Sequence, residues 1–304
     1  MSCVSASECV AVGSTYTGTA YETLAMVWDG TVWSVVPSPN VGTIIDVLSS
    51  VSCVSALECV AVGWTNTGAT LETLAMVWDG MVWSVASSPN GGVDNDRLTS
   101  VSCVSASACV AVGWSATGSY LFRTLVMVWN GVVWSIVSSP NVGTGDNFSE
   151  SVSCTSASGC VSVGYAGSGP AKEKLLMVWD GTVWSVMPSP SAGSGDNRLF
   201  SVSCVSASEC IAVGYTSTGS AKETLVMVWD GTVWSIMPSP NAGTIDDELL
   251  SVSCVSVSEC VAVGYTDTGN NVRETLVLSV TGPVSPSTTT TLSSPEQVVP
   301  AFTG

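Results

Sequence analysis

Apolar residues come along this chain in runs of about five at most, such as Leu24-Ala25-Met26-Val27-Trp28, separated by clusters of Gly, Pro, Asn, Asp and Ser. Val, Thr, Trp and Tyr fill the runs, and no stretch of any length carries the 3.6-residue spacing of a helix. The pattern predicts an all-β chain of short strands. Taking one segment as the type, strand a runs from Leu48 to Val54, b from Cys59 to Trp64, c from Thr73 to Trp78 and d from Val82 to Val85. Asp79-Gly80 joins c to d, a dipeptide that favours a tight hairpin with positive φ.

This unit repeats every 50 residues, once 51. Paired cysteines recur at Cys3/Cys9, Cys53/Cys59, Cys103/Cys109, Cys154/Cys160, Cys204/Cys210 and Cys254/Cys260, and Trp28-Asp29-Gly30-Thr31-Val32-Trp33 recurs at Trp78, Trp129, Trp179 and Trp229. Four antiparallel strands per period suit a six-bladed β-propeller over residues 1–280, with repeats starting near 1, 49, 99, 150, 200 and 250. Small residues lie on strands a and b, at the crowded axis, and Trp lies on c and d, where the wedge between blades widens. An elongated solenoid is the alternative, disfavoured because polar end caps are missing.

The two ends depart from the repeat. After Leu276 the tryptophan hairpin gives way to Ser279-Val280-Thr281-Gly282-Pro283, so the last blade is expected to be incomplete or to recruit part of the tail. Met1-Ser2-Cys3 enters strand a halfway, with no signal-peptide pattern, which suggests a fragment or a misassigned start. Residues 281–304, with Thr288-Thr289-Thr290-Thr291 and four prolines, read as a disordered Ser/Thr/Pro-rich linker.

Composition narrows the function. The 304 residues hold 24 acidic and 7 basic side chains, a net charge of −17, which argues against nucleic acid as a partner. Runs of five apolar residues fall far short of the roughly 20 that a spanning helix needs, so membrane insertion is not expected. With no histidine, the commonest general base and metal ligand are missing and no cofactor is implied.

The six Cys-x5-Cys pairs sit on hairpin neighbours, within bridging distance, and predict six intra-blade disulfides and an oxidising compartment. Free buried thiols are the alternative, and a metal role is weak because zinc sites use tighter spacings.

Trp-Asp-Gly-x-x-Trp, then Pro-Ser-Pro-Asn, Ser-Val-Ser-Cys and Val-Ala-Val-Gly together resemble the kelch blade pattern, with Gly63-Trp64 in place of the kelch double glycine and the cysteines as an addition. The Asp29-Gly30-Thr31-Val32-Trp33 turn also resembles the Asp-box of sialidase-type propellers, one residue shorter. The whole repeat is similar to tandem repeats of uncharacterised secreted actinobacterial proteins. That resemblance implies an extracellular or cell-surface location and no established activity.

Because strands alternate direction, the a–b and c–d turns share one face and the b–c and d–a loops the other. The short-turn face is nearly identical in all copies and acidic, with Asp29, Asp79, Asp180 and Asp230, which reads as a solvated surface. All seven basic residues fall on the opposite, variable face: Arg97 and Arg198 in d–a loops, and Arg123, Lys172, Lys174, Lys222 and Arg273 in b–c loops. Trp64, Trp114, Tyr165, Tyr215 and Tyr265 close strand b beside them and could stack on sugar rings or fill a partner's pocket, or simply plug gaps between blades. The Trp28/Trp33-type pairs read as packing. Asp94-Asn95-Asp96 and Asp246-Asp247-Glu248 raise a calcium site, although turn formation explains them more simply.

The expected function is non-enzymatic recognition of a glycan or a surface protein through the variable face. A sialidase-like or other glycan-processing hydrolase is the first alternative, for which Arg97, Arg123, Arg198 and Arg273 would have to converge. An intracellular kelch-like adaptor is the second, which free thiols would favour.

Overall fold

The computed structural model describes residues 1–280 except 119–120, 191, 194, 218, 220, 244, 257 and 269–271. The linker expected over 281–304 lies outside them. Every regular element described is a β-strand, and no helix is long and apolar enough to cross a membrane. The chain is a β-propeller of six blades, the last incomplete.

In blade 2 the strands are a (Ile45–Ser55), b (Glu58–Asn66), c (Leu71–Trp78) and d (Trp83–Ala86), antiparallel in the order a-b-c-d. Strand a is thus longer at its start than its sequence pattern suggests. Strand d begins at Trp83 because the c–d connection is a four-residue turn, not a two-residue one: Gly80 has φ 90°, and Oδ1 of Asp79 accepts the N–H groups of Met81 (2.9 Å) and Val82 (2.8 Å). Blade 1 has a short strand a (Ser2–Ser5), and blade 6 consists of Asp246–Ser256, Glu259–Asp267 and Arg273–Val280, with no fourth strand among the described residues.

Each recurring motif has a local reason. In Val-Ala-Val-Gly, the glycine lies under a bulge in strand a, where Gly63 pairs with Leu48 and the register slips before Ser50. The indole of Trp78 donates to the carbonyl of Ala56 in the a–b turn (3.2 Å), and the same tie joins Trp28 to Ala6, Trp129 to Ala106, Trp179 to Ala157 and Trp229 to Ala207. In Ser-Pro-Asn, Asn90 Oδ1 accepts the Thr73 N–H (2.8 Å), and the Ser88 hydroxyl lies 2.9 Å from Thr73 Oγ1, fastening the segment after strand d onto strand c.

All six cysteine pairs are bridged: Cys3–Cys9, Cys53–Cys59, Cys103–Cys109, Cys154–Cys160, Cys204–Cys210 and Cys254–Cys260. Each joins directly facing residues of strands a and b. No described cysteine is free, which overturns the free-thiol alternative. The bridges lie within single blades, and their strand b members are also core residues between blades. Cys59, Cys109, Cys160, Cys210 and Cys260 are only 2–3% exposed, each within the apolar cluster shared with the preceding blade. Cys9, in blade 1, is half-buried. Each strand b sulfur also rests on the carbonyl oxygen of the serine four residues earlier, as Cys9 on Ser5 (3.8 Å), Cys109 on Ser105 (3.7 Å), Cys160 on Ser156 (3.8 Å), Cys210 on Ser206 (3.9 Å) and Cys260 on Ser256 (3.4 Å). A bridged sulfur carries no proton to donate, so these are packing contacts and not hydrogen bonds.

Blades pack face to face in chain order, with consecutive a strands side by side at the centre. At each junction a Val-rich trailing face meets the leading face of the next blade. Val60, Val62 and Ala75 of blade 2, for example, meet Leu98, Ala111, Leu125, Met127 and Trp134 of blade 3. An innermost strand would leave a row of backbone donors unpaired on its axial edge. Ser-Val-Ser-Cys answers this: Ser50 Oγ accepts the Val101 N–H (3.2 Å) and Ser52 Oγ the Cys103 N–H (3.0 Å), and the two-rung pattern repeats through Ser100/Ser102, Ser151/Ser153 and Ser201/Ser203.

Candidate functional site

The aromatic residues that close strand b are cross-strand partners of a position on strand a that holds four residue types in five copies: Val47 with Trp64, Arg97 with Trp114, Phe148 with Tyr165, Arg198 with Tyr215 and Glu248 with Tyr265. Because Arg97 and Arg198 lie within strand a (Asp96–Ser105 and Asn197–Ser206), their assignment to d–a loops is corrected. Arg123, Lys174, Lys222 and Arg273 likewise lie on strand c, leaving Lys172 as the one basic b–c loop residue. For Arg97 and Arg198 the physical reason is the bulge, which lengthens strand a and carries these two positions into the ladder.

The side chains form a belt across the blades. The Arg97 guanidinium is 4.1 Å from the Trp64 ring centroid and 5.2 Å from that of Trp114. Phe148 continues the line, its centroid 5.8 Å from Trp114 and 4.9 Å from Tyr165. Arg198 then bridges Tyr165 (4.5 Å) and Tyr215 (6.0 Å), Lys222 stands 4.5 Å over Tyr215, and Arg273 is 4.2 Å from Tyr265. Such separations give cation–π attraction of roughly 0.5–2 kcal/mol each, more where water is excluded.

The cations of the belt differ in their neutralisation. Arg198 pairs with Asp196 (3.1 Å), which also accepts the Tyr215 hydroxyl (2.6 Å), and Lys222 pairs with Glu248. Lys172 is buried, held by Asp146 (3.3 Å) and the Gly167 carbonyl (2.7 Å), and is a structural residue. Arg123 donates to the Gly145 carbonyl (3.1 Å). Lys174 is buried beside Tyr165, and burial lowers its ammonium from the usual value. Arg97 has no carboxylate within ion-pairing distance among the described residues, and its Nε is buried without a hydrogen-bond partner. An unanswered guanidinium between two indoles offers a charge, planar donors and apolar walls together.

Tyr215 is only 3% exposed, whereas Trp64, Trp114, Tyr165 and Tyr265 are half-buried. Glu150, which the sequence pattern does not single out, is the bulge residue of blade 4; burial raises its carboxyl, and it accepts a hydrogen bond from Tyr165 near Arg198. Burial and Glu150 together push the Tyr165 phenol up to about 12. Phe148 and Asp196 were also missed. For Phe148 and Glu150 the available signal was variation at the two positions flanking Ser149, which stands where the other blades have the strand a leucine.

The acidic loops serve their own turns. Asp96 Oδ1 accepts the N–H of Gly91 (3.2 Å) and Gly92 (3.0 Å), and Asp247 accepts that of Gly243. Asn147 does the same for Val142 (2.7 Å), so the job needs no charge. Among the described residues no three acidic or cysteine groups gather as a metal site.

No protein-family model and no curated protein matches the sequence. Among solved structures, YCF48 bound to D1 peptide is similar with 13% identity over 92% of this chain and 77% of that chain, at a TM-score of 0.53. Aleuria aurantia lectin in complex with Fucα1-6GlcNAc (12% identity, 76% of this chain and 78% of that one) and Chaetomium thermophilum Sqt1 bound to the N-terminus of ribosomal protein L10 (12%, 85% and 66%) both score 0.48. The first likeness shows a shared β-propeller fold.

Proposed function

We propose that this protein is a non-enzymatic recognition propeller that works in an oxidising, extracytoplasmic setting and binds an anionic group of a glycan or protein at the aromatic and cationic belt. The observation that carries the reading is Arg97. A half-buried guanidinium with an orphaned Nε, held between Trp64 and Trp114, is costly unless an acceptor completes it, and a carboxylate does so best. The six disulfides support the compartment, since such bonds persist outside the reducing cytosol. YCF48, on a similar fold, was solved with a peptide, which is compatible with a binding role here.

The test is a binding panel of paired probes. Uronic-acid and sialic-acid oligosaccharides, and peptides with a free C-terminal carboxylate, are each compared with their neutral ester or amide. The reading expects binding of an acidic member over its neutral partner, lost in Arg97→Gln. Equal binding of the pairs would remove it.

One constellation favours the hydrolase alternative. Tyr165, hydrogen-bonded to half-buried Glu150 with Arg198 alongside, joins a phenol, a potential base and a cation at one point. The arginines are otherwise dispersed, with Arg97, Arg198 and Arg273 stacked on different aromatics. Turnover of a chromogenic sialoside by the wild type, abolished in Tyr165→Phe, would establish that alternative.

A further inference from the structure

Five apolar clusters mark five junctions, from blade 1 on blade 2 to blade 5 on blade 6. No such cluster among the described residues joins blade 6 to blade 1, and both halves of that junction stand open. On the trailing face of blade 6, Val261 and Val263 are 48% and 39% exposed, whereas their counterparts Val60, Val62, Val110, Val112, Val161, Val163, Ile211 and Val213 are 0–7% exposed. Val277 is 54% exposed where Val126 and Val226 are buried. On the leading face of blade 1, Cys9, Ala11, Leu24, Met26 and Trp33 are half-buried, while Cys59, Ala61, Leu74, Met76 and Trp83 at the same positions of blade 2 are buried. The serine rungs agree: Ser251 and Ser253 are exposed, although their counterparts in the preceding blades accept backbone N–H groups from the next blade.

We infer that the trailing face of blade 6 docks on the leading face of blade 1 of a second copy of this chain, giving head-to-tail association. The occupant follows from continuity with an interface the chain already builds five times. A Val-rich face with two exposed serines fits a face of Ala, Leu, Met and Trp, and among the described residues blade 1 carries the one open face of that kind. Within a single copy both faces are bare at once. The two patches are different surfaces, so the interface is heterologous, and growth beyond a dimer is expected.

The experiment is sedimentation velocity of the full disulfide-bonded chain over a wide concentration range, with two variants. Val261→Asp/Val263→Asp blocks the trailing face at residues already exposed. Leu24→Glu blocks the leading face, and Ala11→Glu replaces it if the first variant fails to fold by circular dichroism. The wild type should grow past a dimer as concentration rises, each variant alone should stay monomeric, and an equimolar mixture should form a 1:1 dimer that grows no further. A wild type that is monomeric at every concentration overturns the inference, as would a variant that assembles alone or a mixture that stays monomeric.

Discussion

A Cβ built on Gly63 would stand 1.9 Å from the carbonyl oxygen of Val47, the residue before its ladder partner Leu48 on the bulged strand a. The same approach recurs at Gly113 on Arg97 (1.9 Å), Gly164 on Phe148 (2.0 Å), Gly214 on Arg198 (1.9 Å) and Gly264 on Glu248 (1.8 Å). The glycine of blades 2 to 6 therefore holds the backbone of the strand a position that feeds the belt. Fold and site meet there.

Substituting that glycine should be severe, and its position in blade 1 supplies a control. Gly113→Ala forces strand a away from the ladder, with an expected loss of roughly 3 kcal/mol or more, in the range of overpacked cores. Gly13→Ala meets nothing within 4 Å and should leave the melting temperature unchanged. Thermal denaturation of the pair decides it, and equal effects would refute the close-approach account.

The serine rungs predict a graded result. Ser52→Ala leaves the Cys103 N–H without its acceptor and should cost about 1–3 kcal/mol in denaturant unfolding. Ser253→Ala removes an exposed hydroxyl with no rung and should cost almost nothing in the monomer. Comparable losses for both would mean that the hydroxyls act otherwise.

Acid should loosen the c–d turns selectively. Hydrogen bonds from Thr31 and Val32 hold Asp29 below its ordinary value, and the N–H groups of Val82 and Met81 do the same for Asp79; Asp180 and Asp230 match them. A carboxylate whose value is depressed by folding contributes stability that is present above its unfolded value, near 3.8, and is lost as pH falls through the lower folded value. Asn130 makes the same contacts in blade 3 with no charge to lose. Below about pH 3.8 the amide resonances of Met81 and Val82 should therefore shift, while those of Val132 and Val133 hold still. Parallel movement in all blades would contradict this.

Much of this was legible in the chain. The 50-residue period, the turn glycines and the facing cysteines specify blades, hairpins and bridges, because each follows from local spacing. The second role of Cys109 or Cys210, as core between blades, was not, since spacing along one hairpin says nothing of what packs on it. The belt was half legible. Trp64, Trp114, Tyr165 and Tyr265 are placed by strand b, but Arg97 and Arg198 read as loop residues because a bulge is invisible to period-two alternation. Glu150 and Phe148 gain their meaning only from neighbours brought in across blades. The open end faces were illegible for a related reason: Val263 and Val213 sit in near-identical sequence, and only the next blade distinguishes them.

The most direct measurement of the binding account is a map of indole N–H resonances during titration with the strongest acidic probe from the panel. The chain has twelve tryptophans spread over both faces and all but one blade, so the map locates the ligand by itself. Trp64 and Trp114 should shift, and Trp78 and Trp129, tied to the a–b turns, should not. Arg97→Gln should weaken binding at least tenfold, as expected for losing a charge-assisted hydrogen bond, with the fold intact. Shifts at Trp78 and Trp129 with Trp64 and Trp114 unmoved, or full affinity in Arg97→Gln, would contradict it.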